Sequence, residues 1–234
     1  MESAAATDAT RRREELVAFF HELGGCTKCP LAEGRTTVVF GSGDPDADLM
    51  FVGEAPGFHE DKQGKPFVGQ AGKMLDKLLA EIGLTRREVF IANVLKCRPP
   101  GNRDPQPAEI EACEGHLFRQ VELTQPRVIC SLGNFATKLL SGSPAGITKV
   151  RGVPQMREIG ERTLLLYPIF HPAAALYTPA MLERLREDIR ALPELLAQPL
   201  PGDSSEREPQ REPEPELAAV GPAEVAAVDQ LGLF

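Results

Sequence analysis

Residues 48–79, DLMFVGEAPGFHEDKQGKPFVGQAGKMLDKLL, decide the fold. The apolar run Leu49-Met50-Phe51-Val52 has the length and composition of a buried strand. Gly53-Glu54-Ala55-Pro56-Gly57 follows as a tight turn through which neither helix nor strand continues. An acidic, polar loop (Glu60, Asp61, Lys62, Gln63, Gly64) leads to Pro66 and Phe67. An amphipathic helix comes next, with Met74, Leu75, Leu78, Leu79 and Ile82 at helical spacing. In an open parallel sheet, ligands bind in the crevice beyond the carboxyl ends of the strands. Glu54 and Phe67 flank this turn as site residues would; the bland alternative is a plain strand-to-helix connection carrying an exposed Glu.

Working outward, the same unit recurs. Residues 89–94 read as a second buried strand that ends near Asn93, and the Pro/Gly/Asn-rich loop 98–107 leads into a helix over 107–123. Residues 127–132 are a third strand, and Gly133 opens a helix through Leu140. Residues 164–170 are a fourth, running straight into His171-Pro172, and a final amphipathic helix covers 179–196. Toward the N-terminus, residues 8–24 read as a helix closed by Gly24-Gly25. Residues 36–43 are either a short edge strand or a loop; Gly41-x-Gly43 lacks the third glycine and following helix of a dinucleotide fingerprint. This alternation specifies an α/β protein, a three-layer α/β/α sandwich around a central four-stranded, mostly parallel sheet, in one domain over 1–198. Glu54, Asn93, Ser131 and His171 then lie at or just past the carboxyl ends of strands, along one edge of the sheet. A lone His is ordinarily structural and a lone Asn ordinarily caps a turn. Four polar groups converging on one edge argue for a single active site.

Composition bounds the partners. The hydrophobic content of 42% supports a sizeable core, and 26% charged residues is ordinary. The net charge of −8 is unevenly spread: from Pro199 onward eight acids face Arg207 and Arg211, a net of −6, which leaves −2 for residues 1–198. A near-neutral domain can still carry a basic patch, for which Lys96, Arg98, Arg103, Lys149 and Arg151 are candidates. The first residues have no apolar segment of the secretory type and no run of about 20 apolar residues occurs. The expectation is a soluble, cytoplasmic protein with reduced cysteines.

Cysteine spacing is therefore read for metal first. Cys26-Thr27-Lys28-Cys29 is a C-x-x-C pair, and Cys97 and Cys113 supply two more thiols. Four thiolates suit structural zinc or an iron–sulfur cluster, and unrelated buried thiols are the bland alternative. Cys130 sits within an apolar strand and reads as a small buried hydrophobe.

Taken together, these residues resemble the iron–sulfur uracil-DNA glycosylases, family 4 of the uracil-DNA glycosylase superfamily. The resemblance covers roughly residues 24–190. It rests on Gly53-Glu54-Ala55-Pro56-Gly57, Gly64-Lys65-Pro66-Phe67-Val68-Gly69, Asn93 with Lys96-Cys97-Arg98-Pro99-Pro100, Ser131-Leu132-Gly133, Ile147-Thr148-Lys149-Val150-Arg151-Gly152, and His171-Pro172-Ala173. The resemblance, not the spacing, chooses a 4Fe-4S cluster on Cys26, Cys29, Cys97 and Cys113. It implies excision of uracil from DNA in base excision repair, with the nucleotide extruded into a pocket. Phe67 would stack on the base, Asn93 would read its polar edge, and backbone N–H groups around Gly53 and Ala55 would assist. His171 would stabilise the leaving uracil anion. Glu54 would orient or activate water, because the position one later, where another family of these enzymes carries an Asp, is Ala55 here. Glu60 and Asp61 are reserve acids whose ordinary reading is a solvated loop.

The remaining expectations concern DNA and the tail. Asn102, Arg103, Lys149 and Arg151 are candidate DNA contacts, with simple solvation as the alternative. After His-Pro-Ala the family commonly has a bulky aromatic and then leucine as a wedge. This chain has Ala174 and Ala175, so the wedge shifts to Leu176 and single strands or mismatches should be preferred. Residues 199–216 (PLPGDSSEREPQREPEPE) have the composition of a disordered linker. The chain ends in Gln230-Leu231-Gly232-Leu233-Phe234, which resembles the peptide by which bacterial repair proteins dock on the sliding clamp. The expected protein is a monomer working on the nucleoid of a bacterium. Two rival readings remain. A different enzyme class or an electron-transfer protein built around the same four cysteines predicts a redox partner and no use for Glu54, Asn93 or His171; the other rival is a non-catalytic, zinc-stabilised nucleic-acid-binding module.

Overall fold

The computed structural model describes residues 4–159 and 162–200, with side chains from residue 8 onward. The tail peptide 230–234, and the linker from residue 201, lie outside the described residues. Strands β1 (Ser42–Gly43), β2 (Leu49–Gly53), β3 (Phe90–Asn93), β4 (Val128–Leu132), β5 (Gln155–Ile159) and β6 (Arg162–Ile169) form one sheet in the order β1-β3-β2-β4-β6-β5. The sheet has six strands among the described residues, not four. The four expected strands, β2, β3, β4 and β6, are its parallel centre. The additions are antiparallel edges, β1 on β3 and β5 on β6. A two-residue strand is too short to show a period. In β5 (QMREI) only Ile159 is buried, so it lacks the apolar run that marks the central strands.

Helices α1 (Ala4–Gly24), α2 (Leu31–Gly34), α3 (Phe58–Gln63), α4 (Gln70–Glu81), α5 (Pro107–Thr124), α6 (Asn134–Ser141), α7 (Ile147–Val150), α8 (Pro179–Arg190) and α9 (Leu192–Ala197) cover the sheet. Two of them correct the reading of the sequence. The acidic loop after the Glu54 turn is helix α3, and its Asp61 is buried, accepting the Thr36 N–H at 2.9 Å. The single helix expected over 179–196 is two, α8 and α9. Pro193 enters in the first turn of α9, where its missing N–H cannot continue the preceding helix.

The central strands alternate their side chains between two cores, as the two-residue period of a strand requires. Met50, Val52, Phe90, Ala92 and Ile129 pack with α1, α5 and α6 through Leu16, Phe19, Leu117, Val121 and Leu140. Leu49, Phe51, Ile91, Cys130 and Ile169 face the other way, onto α4, α8 and α9 through Leu75, Leu78, Leu79, Leu185 and Leu195. This is the three-layer sandwich expected from the alternation. Cys130 is fully buried in the second core, and burial pushes its thiol well above the ordinary value. Among the described residues, no helix is long and apolar enough to cross a membrane.

Candidate active site

Beyond the carboxyl ends of β2, β3 and β6 lies a cleft of about 460 Å³. Glu54, Ala55, Pro56 and Gly57 from the turn after β2 form one wall, with Phe67 and Ala71 behind them. Asn93 closes the end of β3, and His171 and Ala173 follow β6. Asn102 and Arg103 reach the rim from the 3₁₀ turn Pro100–Asn102 and the residue after it. Of the four polar residues on which the sequence argument rested, Glu54, Asn93 and His171 are thus brought together with Phe67. Ser131 is not part of this wall: its hydroxyl is fully buried and paired with the Thr137 hydroxyl at 2.9 Å.

The register of the sheet sets the floor of the cleft. Gly53 pairs with Asn93 across the parallel β2–β3 ladder. A Cβ on Gly53 would collide with both Asn93 Oδ1 and the Phe67 ring, so only glycine lets these two side chains meet over the strand end. Asn93 is 2% exposed, and its Oδ1 has no hydrogen-bond partner. A buried acceptor left unpaired costs about 1–3 kcal/mol. Asn93 is a lining residue of the cleft, so a ligand entering there can bring an N–H to it.

Phe67 is held in an unusual conformation. Its φ of 53° is in the left-handed region, a cost of order 1–3 kcal/mol for a non-glycine residue. Flanking groups on both sides fix it there. Glu60 accepts the N–H groups of Val68 at 2.9 Å and Gly69 at 2.8 Å. Arg86 donates to the Pro66 carbonyl at 3.0 Å and to the Phe67 carbonyl, while its Nε pairs with Asp76. A Cβ at Gly72 would strike the Phe67 carbonyl, so α4 approaches the loop with no side chain between. The Phe67 ring then stacks on His171, centroids 5.5 Å apart and planes 28° apart. Glu60 is therefore a pin for the loop rather than a solvated acid. Arg86 was invisible in the sequence, because an arginine before a strand carries no signal of the carbonyls it will meet.

His171 is fixed in its tautomer. Its Nδ1 accepts the Ala173 N–H at 3.2 Å, which leaves the ring proton on Nε2, free to be donated into the cleft. Burial lowers its pKa to about 4, against the weaker pull of Glu60, so the ring is neutral at pH 7. Burial, helped by Asp104, raises the Glu54 carboxyl above the ordinary range. Behind Asn93, Lys96 is 1% exposed and so not part of a surface patch. Its ammonium donates to the Asn93 carbonyl at 2.7 Å and to Gln120 Oε1 at 2.5 Å, and Gln120 in turn donates to the Phe40 carbonyl at 2.9 Å. Burial lowers the Lys96 pKa to about 8.

The other candidate DNA contacts are placed differently. Arg103 stands at the rim but spends both terminal nitrogens on buried Glu109, at 2.5 and 2.9 Å. Arg151 pairs with buried Asp188 at 2.9 Å and lies over the Phe170 ring, joining α7 to α8. Lys149 is exposed on α7. Leu176 is half-buried just after the 3₁₀ turn Pro172–Ala175, while its neighbour Tyr177 is 90% exposed. Lys149, Arg151 and Leu176 do not line the cleft.

On the first core's side of the sheet, Cys26, Cys29, Cys97 and Cys113 line one pocket. Among the described residues no group of three or more His, Cys, Asp or Glu is arranged to hold a metal ion. A cluster, which sits between its thiolates, needs a wider spread than one ion does. Two donors and a histidine ring nitrogen already lie against the sulfurs. The Lys96 N–H lies 3.3 Å from Cys113 Sγ, Arg35 Nη1 lies 3.5 Å from Cys97 Sγ, and His116 Nε2 lies 3.4 Å from Cys26 Sγ. Burial pushes the Cys97 thiol up and that of Cys113 to about 11, a cost that bound metal charge offsets. The donor set fits a cluster held by four thiolates. Cys130 is on the opposite face of the sheet.

The family model of the uracil DNA glycosylase superfamily matches residues 40–195. A type-4 uracil-DNA glycosylase of Sulfurisphaera tokodaii is 47% identical over 191 residues, covering 80% of this chain and 87% of that protein. One from Archaeoglobus fulgidus is 43% identical over 80% of this chain and 96% of its own length. One from Thermotoga maritima is 47% identical over 69% and 83%.

The depressed pKa of His171 makes a prediction about stability. Between pH 6.5 and about 4 the unfolded chain binds a proton that the folded ring refuses, so stability must fall as pH falls through that window. Urea unfolding at pH 7 and pH 4.5 is expected to show this loss, and His171→Ala to reduce it. An unchanged difference in the variant would mean that His171 protonates freely in the folded state.

Proposed function

The chain belongs to the uracil DNA glycosylase superfamily, and from that membership we infer the part each wall of the cleft takes in the reaction. The protein excises uracil from DNA by hydrolysing the N-glycosidic bond, leaving an abasic site at the start of base excision repair. The observation that carries the assignment of roles is the unpartnered, buried Oδ1 of Asn93, a residue that lines the cleft together with Phe67.

An extruded uracil lies against Phe67. Asn93 Oδ1 accepts the uracil N3–H and its amide N–H donates to O4. Cytosine presents an acceptor and an amino group in those places, which would leave buried groups unpaired on both sides. Sites built in this way discriminate strongly. As the glycosidic bond breaks, the sugar becomes oxocarbenium-like and the base leaves as an anion. Neutral His171 donates its Nε2 proton to O2 as a hydrogen bond, and turn N–H groups from Gly53 to Gly57 assist. One such donor is worth about 10²–10³ in rate. Glu54 orients or activates the water, and its charge favours the cationic sugar. Burial and the neighbouring Asp104 raise its pKa, which makes the carboxylate a stronger base toward that water.

Cys26, Cys29, Cys97 and Cys113 would hold a 4Fe-4S cluster. When bound, the cluster cross-ties the segment after α1 to the loop after β3 and to α5; hydrolysis itself needs no electron. On the DNA side, Asn102 and Arg103 meet the strand at the rim, with Lys149 and Arg151 farther out. Leu176 enters the space the base vacates. With only alanines ahead of it, extrusion from stable pairs is weak and single strands or mismatches are favoured. Residues 1–198 act as the catalytic domain and 199–234 as a tether whose tip, Gln230 to Phe234, docks on a sliding clamp, raising the local concentration of enzyme on DNA. The relatives are mostly archaeal and lend no support to a bacterial source, so the clamp reading rests on the peptide alone.

Abasic-site formation on a uracil oligonucleotide tests the site. Glu54→Gln and His171→Ala should each lower cleavage at least tenfold with the fold intact by circular dichroism, and parental rates in both would remove the mechanism. Equal parental rates on single-stranded, U·G and U·A substrates would remove the weak wedge. The cluster is tested by absorption: Cys97→Ala should lose a brown chromophore that Cys130→Ala keeps, and retention in both would exclude this ligand set. For the tail, deleting 230–234 should abolish retention on immobilised clamp; undiminished retention refutes the tether.

A further inference from the structure

At the mouth of the cleft, Phe58 opens α3 with 45% of its surface exposed, immediately after Gly57 of the cleft wall. Two cations flank its ring: Lys62 Nζ is 4.6 Å from the centroid, and the Arg98 guanidinium carbon is 5.2 Å from it. Arg98 also donates Nε–H to Asn102 Oδ1 at 2.6 Å, which connects the group to the rim. Neither Lys62 nor Arg98 is in an ion pair among the described residues, whereas Arg86, Arg103, Arg151 and Arg186 all are. A single exposed Phe needs no explanation. An exposed ring between two cations without carboxylate partners, at the edge of a nucleotide-sized cleft, is a different matter.

We propose that Phe58, Lys62 and Arg98 form a second nucleic-acid subsite, in which the base next to the extruded nucleotide stacks on Phe58 while the two cations meet the adjoining phosphates. This rests on the uracil-excision reading and extends it to the neighbouring nucleotide. Surfaces that bind single strands without sequence preference combine these two elements, an aromatic face for any base and a basic track for the backbone. Both cations already stand over the ring in the free protein, so an arriving base takes one face from a cation that then turns to the adjoining phosphate. The subsite also fits the alanines ahead of Leu176. A strand already unpaired can lie on Phe58, and what the wedge lacks in duplex opening is offset by grip on the flanking base.

Steady-state cleavage of a long single-stranded oligonucleotide with one central uracil tests this, using Phe58→Leu, Phe58→Trp and Lys62→Gln. Phe58→Leu keeps an apolar side chain but removes the π-face, and should raise KM about tenfold at unchanged kcat. Phe58→Trp should keep the parental KM or lower it. Lys62→Gln should reduce the slope of log KM against log salt by about 0.7. On a deoxyuridine mononucleotide, which has no flanking nucleotide, any uracil release should be the same in the Phe58 variants as in the parent. An active parent with the same KM in Phe58→Leu, or with Leu and Trp indistinguishable, overturns the subsite and leaves uracil excision standing. A parent that releases no uracil overturns both.

Discussion

The cleft depends on one backbone constraint, the parallel pairing of Gly53 with Asn93 at the ends of β2 and β3. The ladder does not stop there. The N–H groups of Val94 and Leu95 reach the carbonyls of Gly53 and Glu54, each at 2.9 Å, so the two chains leave the sheet together. Because side chains alternate along a strand, a slip of one residue would turn Asn93 to the other face and bring an apolar neighbour to the cleft. Pairing thus fixes which face the amide takes. The absence of a Cβ on Gly53 fixes how closely the Phe67 ring can approach it.

Rigidity around that pairing is bought with local strain. Phe67 sits at positive φ, Asn93 keeps an unsatisfied acceptor, and Lys96 is buried with an amine that burial has weakened. Each is unfavourable alone, and each is locked by neighbours: Glu60 and Arg86 around Phe67, Lys96 beneath the Asn93 carbonyl, Gln120 beneath Lys96. Groups locked in this way need little reordering when a ligand enters the cleft. His171 follows the same logic. The Ala173 N–H decides its tautomer in advance, and burial keeps it a neutral donor.

What the sequence made legible follows from range. The four central strands are apolar runs bounded by turn residues, a signal carried within a handful of neighbouring positions, and all four were readable. Glu54, Asn93 and His171 were readable too, because each falls at the carboxyl end of such a run. The edge strands were not: β1 is too short to show a period, and β5 buries one residue of five. Helix α3 was hidden because HEDK reads as solvated, whereas Asp61 turns inward to the Thr36 N–H. Arg86 and Lys96 were misread or missed for a common reason. Their partners are backbone carbonyls brought near by tertiary packing, and no residue type marks a carbonyl in advance.

The cysteine pocket and the cleft are two sides of a single segment. From Asn93 to Cys97 the chain crosses from one to the other, and Lys96 touches both: its N–H points at Cys113 Sγ and its ammonium at the Asn93 carbonyl. Cys113 is thereby connected, through Lys96 and two hydrogen bonds, to the Asn93 backbone, and Cys97 is the next residue along the chain. The Lys96 carbonyl is tied in turn by the Val39 N–H at 2.8 Å, so the segment stays bonded beyond the last rung at Leu95. A cross-tie between the cysteines would add to that restraint without carrying electrons. Anchoring the far side of the Asn93 segment would help keep its near side in register with Gly53.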